Sequence, residues 1–167
     1  MYQRTAAHPD LPFGTILRVA NTENGLSTTV TVNDRGPFKR GRGLDLSYRA
    51  AKDIGLIGHG TAIVNLQIMG RDPSYIRTVH YGPAALHGPY TIQAGSFSDR
   101  ANALRLKAVL EKTYEGVYLS GVTGRDGKKI FYRVNVGYFT DKKAAGSVAA
   151  RLAGEGYNVW VTGYHKS

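Results

Sequence analysis

The sequence predicts a chain in two parts: a mainly β unit over residues 1–70, then an α+β module of βαββαβ order over residues 89–167. Three observations carry that reading. Short β-branched runs with Gly and Pro corners, and a single helix, fill residues 11–70. An internal repeat at a constant offset of 42 residues fills most of the second part. Between them, residues 71–88 hold Pro73, Pro83 and glycines without clear periodicity, and are expected to form a linker.

In the first part, Thr15–Asn21 alternates as a half-buried strand should. Asn24-Gly25 is a hairpin signal, and Ser27–Asn33 is rich in the β-branched residues that pack well on a pleated surface. Asn33-Asp34-Arg35-Gly36-Pro37 then breaks the strand. Ser47 is placed to cap a short helix, Tyr48–Ile54, which Gly55 ends. Thr61–Met69 reads as a further strand. Several short strands around one helix suggest a small barrel.

In the second part, Tyr90–Asp99 aligns with Tyr132–Asp141, and the same offset maps Ala103 on Ala145, Leu106 on Val148, Leu110 on Leu152 and Val117 on Val159. Each copy reads as strand, Gly turn, Ser/Thr N-cap, amphipathic helix and second strand. The first helix is expected to bury Ala103, Leu106, Val109 and Leu110, the second Ala145, Val148, Ala149 and Leu152. Two such units give a four-stranded sheet with both helices on one face, a ferredoxin-like arrangement. Strict alternation then sends Tyr90, Ile92 and Ala94 to the helices and Thr91, Gln93 and Gly95 to the other face. Phe131, Arg133 and Asn135 join Gln93 there, with Ser96, Tyr138 and Phe139 nearby. A polar platform edged by aromatic rings suits sugars or nucleobases, since both present faces that stack on rings.

Composition narrows the choices. The chain has 167 residues and a net charge of +10, from 22 Lys+Arg against 12 Asp+Glu, so anionic partners are favoured. It has no cysteine, which excludes disulfides, thiolate metal sites and a cysteine nucleophile. No apolar run approaches the roughly 20 residues that span a bilayer, and no signal-peptide pattern is visible. The histidines His8, His59, His80, His87 and His165 lack metal-ligand spacing, so neither metal nor cofactor is implied. An RNA-recognition module would share the βαββαβ order and the charge. It would also need two or three stacking aromatics on the middle strands, where only Phe131 is found, so nucleic acid is not the expected partner.

Chemistry concentrates in the first part. Asp34 ends a strand beside a tight turn, and is either turn chemistry or a proton donor in a cleft. His8 stands at the entry to the first long strand. Asp45, between Leu44 and Leu46, is expected to orient a loop.

These residues carry a resemblance. Thr5-Ala6-Ala7-His8 with Leu11-Pro12-Phe13-Gly14-Thr15, then Val32–Phe38, then Leu44-Asp45-Leu46-Ser47, resemble the double-psi β-barrel of the rare lipoprotein A family. The pair Tyr90–Phe97 and Tyr132–Phe139 resembles a SPOR (sporulation-related repeat) domain. The resemblance implies a lytic transglycosylase that cuts peptidoglycan glycan between N-acetylmuramic acid and N-acetylglucosamine, leaving 1,6-anhydro ends. Mapped by motif, Asp34 is the acid/base and His8 supports it, with Asp45 and Arg35 structural in the barrel site. Gln93, Ser96, Arg133, Phe97, Tyr138 and Phe139 are the expected glycan contacts. The partner implied is glycan free of stem peptides, and the place the periplasmic cell envelope at the division septum. The full-length form is expected to be a monomer anchored by lipid to the outer membrane. In this family the barrel begins with a Ser-Trp-Tyr-Gly-like strand and a Gly-Glu pair ahead of Thr5, so an N-terminally incomplete barrel is expected here. A non-catalytic septal glycan-binding protein therefore stays open as an alternative.

Overall fold

A computed structural model describes residues 3–164. The chain divides between Tyr75 and Ile76 into two units.

The first unit is a five-stranded sheet with one helix. Strands β1 (Thr5–Ala7), β2 (Thr15–Asn21), β3 (Ser27–Asp34), β4 (Asp45–Leu46) and β5 (Val64–Arg71) take the order β4-β1-β3-β2-β5. The β2–β3 hairpin turns at Gly25, whose φ of +73° suits a residue without Cβ. Helix α1 (Tyr48–Asp53) starts at Ser47, whose hydroxyl oxygen accepts the Ala50 N–H at 3.5 Å and the Thr5 N–H at 3.1 Å. One cap thus ties the helix to β1. Alternation along β2 and β3 buries Leu17, Val19, Val30 and Val32, and α1 closes that face with Ala50 and Ile54. The last strand begins at Val64, not Thr61. Among the described residues it pairs only with β2, and it leaves Leu66, Ile68 and Met69 exposed.

The second unit has five strands, not four. Strands β6 (Val79–Tyr81), β7 (Tyr90–Phe97), β8 (Val117–Thr123), β9 (Ile130–Phe139) and β10 (Val159–Gly163) take the order β6-β10-β7-β9-β8. Residues 71–88 are therefore not a plain linker. Arg71 completes β5, single 3-10 turns form at Pro73–Tyr75 and Pro83–Leu86, and β6 lies parallel to β10. A three-residue strand made by long-range pairing leaves no periodicity to read.

Helix α2 (Arg100–Leu110) buries Ala103, Leu106, Val109 and Leu110, as its spacing predicts. Helix α3 (Lys142–Gly154) buries Ala145, Ala149, Leu152 and Ala153, with Val148 half-buried. The caps are Asp99 and Asp141 rather than the preceding Ser and Thr. Their carboxylates accept the Ala101 and Ala144 N–H groups at 2.7 and 2.9 Å, and add negative charge at the helix starts.

Two β-bulges decide which side chains face outward. Gln93 pairs with Asn135 but Gly95 with Val134, so Ala94 is an extra residue; a second bulge on β9 lies between Val136 and Phe139. Each inserted residue reverses the alternation beyond it. Ser96 consequently pairs with Arg133, while Gly95 and Phe97 turn to the helices. A Cβ at Gly95 would lie 2.8 Å from both Leu106 Cδ2 of α2 and the Phe97 ring.

Candidate functional site

In the first unit, the sheet brings the barrel candidates to one end. β1 and β3 run parallel, so His8, just past β1, and Asp34, ending β3, emerge side by side. The His8 N–H donates to the Asp34 carbonyl oxygen at 3.2 Å. β4 places Asp45 opposite Ala7, on the other side of β1 from Asp34. Asp34 is exposed, and its Oδ1 accepts the Arg35 N–H at 2.8 Å. His8 is half-buried. Its Nδ1 accepts the N–H groups of Asp10 and Leu11 at 3.1 and 3.0 Å, which fixes the orientation of the ring.

Arg35 holds this arrangement. Its guanidinium donates to the carbonyl oxygens of Leu11 at 2.8 Å and His8 at 3.4 Å, and lies 3.7 Å from the centre of the Phe13 ring. Arg71 holds the same loop further on, donating from Nε to the Phe13 carbonyl at 3.0 Å. Asp45 is committed to an ion pair with Arg42. The arrangement thus offers one solvent-facing carboxylate, one imidazole oriented through Nδ1, and a loop clamped by two arginines.

In the second unit, the face away from the helices carries a continuous row across all five strands. His80 of β6, Trp160 of β10, Gln93 of β7, Asn135 of β9 and Tyr118 of β8 are successive ladder partners. Next to it runs a shorter row of Ser96, Arg133 and Ser120. His80 stacks on Trp160, with ring centres 4.8 Å apart and planes at 25°. Tyr164 meets Tyr118 and Tyr138 edge-on, at 5.6 and 4.8 Å. Burial raises the Tyr118 pKa, the hydrogen bond with Thr91 lowers it, and neighbouring Tyr164 raises it. Asn135 is buried and donates from Nδ2 to the Ser120 hydroxyl at 2.9 Å, so it orients its neighbours. Gln93 and Asn135 thus lie between the His80–Trp160 pair and the tyrosine group, and Ser96, Arg133 and Ser120 form a polar row alongside.

Of the six expected contacts, Gln93, Ser96 and Arg133 share this face, and Tyr138 joins it through Tyr164. Phe97 and Phe139 do not. Phe97 packs beside Leu106, and Phe139 pairs with Tyr90 and lines a cavity of about 410 Å³ with Val148 of α3. The bulges explain both: period-2 counting through an inserted residue assigns the wrong face. Sequence reasoning missed Tyr118, Trp160 and His80. The 42-residue offset that maps Val117 on Val159 also maps Tyr118 on Trp160, and the apolar Val159 and Val161 leave Trp160 facing outward.

Among the described residues, no three His, Cys, Asp or Glu side chains gather as metal ligands; His165 lies outside those residues. No helix of the described residues is long and apolar enough to cross a membrane.

Comparison with known proteins matches the two units separately. Residues 1–66 match the double-psi β-barrel family model described as lytic transglycolase, and residues 86–163 match the SPOR domain model. The endolytic peptidoglycan transglycosylase RlpA of Vibrio cholerae is 35% identical over 159 residues, covering 95% of this chain and 57% of that protein. The chain belongs to the rare lipoprotein A family. The endolytic peptidoglycan transglycosylases RlpA of Campylobacter jejuni and Helicobacter pylori are 39% identical over 125 residues and 51% identical over 70. These cover 66% and 42% of this chain, and 45% and 22% of those proteins. The chain spans 57% of the length of the Vibrio cholerae relative and 18% of that of a probable endolytic peptidoglycan transglycosylase RlpA of Nostoc. Within the family frame, the barrel motifs carry His8 and Asp34, and the SPOR sheet carries the aromatic and polar rows.

Proposed function

We propose that this chain holds the cleavage barrel and the glycan-binding sheet of a peptidoglycan lytic transglycosylase. The observation that carries the catalytic part is the His8 N–H bonded to the Asp34 carbonyl, which sets an imidazole and an exposed carboxyl at one end of the sheet. In this reaction the C6 hydroxyl of the muramic residue attacks its own anomeric carbon, and the glycosidic C–O bond breaks. As acid/base, Asp34 gives a proton to the departing oxygen, then takes the proton of the C6 hydroxyl. The carboxyl ends as it began, no water is consumed, and the product carries a 1,6-anhydro end. His8, its ring oriented through Nδ1 beside Asp34, supports the acid/base.

The second unit supplies the hold on the polymer. Trp160 and the tyrosine group give stacking surface for pyranose faces, Gln93 gives hydrogen bonds between them, and Arg133, Ser96 and Ser120 give more in the row alongside. A ligand without charged stem peptides fits this face of rings and neighbouring polar side chains. Glycan strands stripped by amidases at the division septum provide it, which puts the chain in the periplasmic envelope there. The full-length protein is a lipid-anchored monomer in this reading.

A binding-only role is favoured by one observation: Asp34 stands in solvent in the free protein, so bound glycan must itself exclude water from the acid. One experiment separates the two. Incubation with stem-peptide-free strands yields 1,6-anhydro ends if the barrel is catalytic, and Asp34→Asn abolishes them while leaving thermal stability unchanged. Glycan retained without anhydro products supports the binding role. Anhydro products undiminished in Asp34→Asn refute the catalytic assignment.

A further inference from the structure

Strand β6 is three residues long, lies at the sheet edge, and has one strand neighbour. It is nonetheless clipped in place from both faces. Val79 and Tyr81 pair with Val159 and Val161, whose side chains are fully buried. The Tyr81 ring lies under the Lys142 ammonium of α3 at 5.2 Å, and its hydroxyl comes within 2.9 Å of where a Cβ at Gly146 would stand. Just beyond the strand, the Gly82 N–H donates to the Val161 carbonyl at 2.9 Å. Alternation then leaves His80 on the opposite face, paired with and stacked on Trp160.

From this geometry we infer that His80 is a positioning residue for the glycan platform, holding the indole of Trp160 in the orientation that sugar meets. The inference rests on the open face being the glycan site. Trp160 remains 45% exposed, and no other ring contact among the described residues holds it. A half-exposed indole without a stacked neighbour samples several rotamers, and binding must then order it. His80 orders it beforehand, covering part of one ring face and leaving the rest for a pyranose. The second unit therefore extends its site with a strand that lies outside the 42-residue repeat.

The whole chain, with its single tryptophan, allows a direct test. The emission of Trp160 is recorded first without ligand, and then during titration with glycan strands freed of stem peptides by an amidase. His80→Ala shifts the emission of the free protein to longer wavelength and weakens binding by roughly three- to tenfold, the size expected for one lost aromatic pair. His80→Phe, which keeps the stack, restores binding to within about twofold. Trp160→Ala loses retention on the same strands in pull-down. An His80→Ala variant with unchanged emission and affinity overturns the inference, as does failure of His80→Phe to restore binding. Those results, with binding still lost in Trp160→Ala, leave the platform standing. A folded wild-type chain that retains no glycan refutes the platform, and the inference with it.

Discussion

Arg35 is the side chain on which the barrel site depends most, and removing it yields a calculable loss. Arg35→Ala deletes a charge-assisted hydrogen bond to the Leu11 carbonyl at 2.8 Å, a longer one to His8 at 3.4 Å, and a guanidinium contact with the Phe13 ring at 3.7 Å. A hydrogen bond from a charged donor is worth ~1.5–3 kcal/mol, and a cation–π contact adds ~0.5–2 kcal/mol. Arg35 is half-buried, so solvent screens part of both and the low end applies. The expected loss is about 2–3 kcal/mol, enough to lower the melting temperature of a unit this size by roughly 10–20 °C. Far-UV circular dichroism follows this transition, while Trp160 fluorescence follows the second unit and serves as the reference. The loop from His8 to Phe13 loses its clamp, so glycan cleavage falls although Asp34 is intact. Arg35→Lys keeps the charge but not the planar fork, and recovers less than half of the loss. A variant within about 0.5 kcal/mol of wild type refutes the clamp.

Gly137→Ala is expected to destabilise the second unit by ~2–4 kcal/mol, because φ is +73° and the new Cβ would lie 2.5 Å from the Phe139 ring; urea denaturation measures it. Burial, and then the hydrogen bond to Glu155, raise the Tyr114 pKa above the ordinary tyrosine value. The unfolded chain therefore loses this proton first. The stability contributed is fully present below about pH 10 and is lost as pH rises beyond it, so Tyr114→Phe shows a shallower alkaline decline in melting temperature.

Much of the architecture was legible because it obeys local periodicity. Thr15–Asn21 and the buried face of α2 follow from alternation and from i, i+3, i+4 spacing alone. What escaped is set by pairing between distant residues. β1, β4 and β6 are two or three residues long and exist because a partner strand accepts them. The face of Phe97 was misread because Ala94 adds one residue to β7, and a pattern of period 2 cannot absorb an odd insertion. Asp34 and His8 were legible as motif residues, but their adjacency needed the parallel β1–β3 pair. Trp160 was hidden by its isolation, although the repeat that located Val159 extends one residue further to it.

The proposed division of labour between the units makes a kinetic claim. Asp34 and Trp160 lie in different units of one chain. A polymer held by the second unit stays at high local concentration for the first, without changing the chemistry at the reacting carbon. Contacts of that kind are made equally in the ground state and the transition state, so their loss raises KM and leaves kcat alone. Trp160→Ala is therefore expected to raise KM for glycan cleavage by roughly tenfold, the size of one well-placed stacking contact, at unchanged kcat. Asp34→Asn does the reverse, removing kcat while glycan retention persists. Initial rates of anhydro-end formation over a range of strand concentrations measure both. A Trp160→Ala variant that loses kcat at constant KM would mean that the sheet acts in the chemical step, and the separation of holding from cutting would fail.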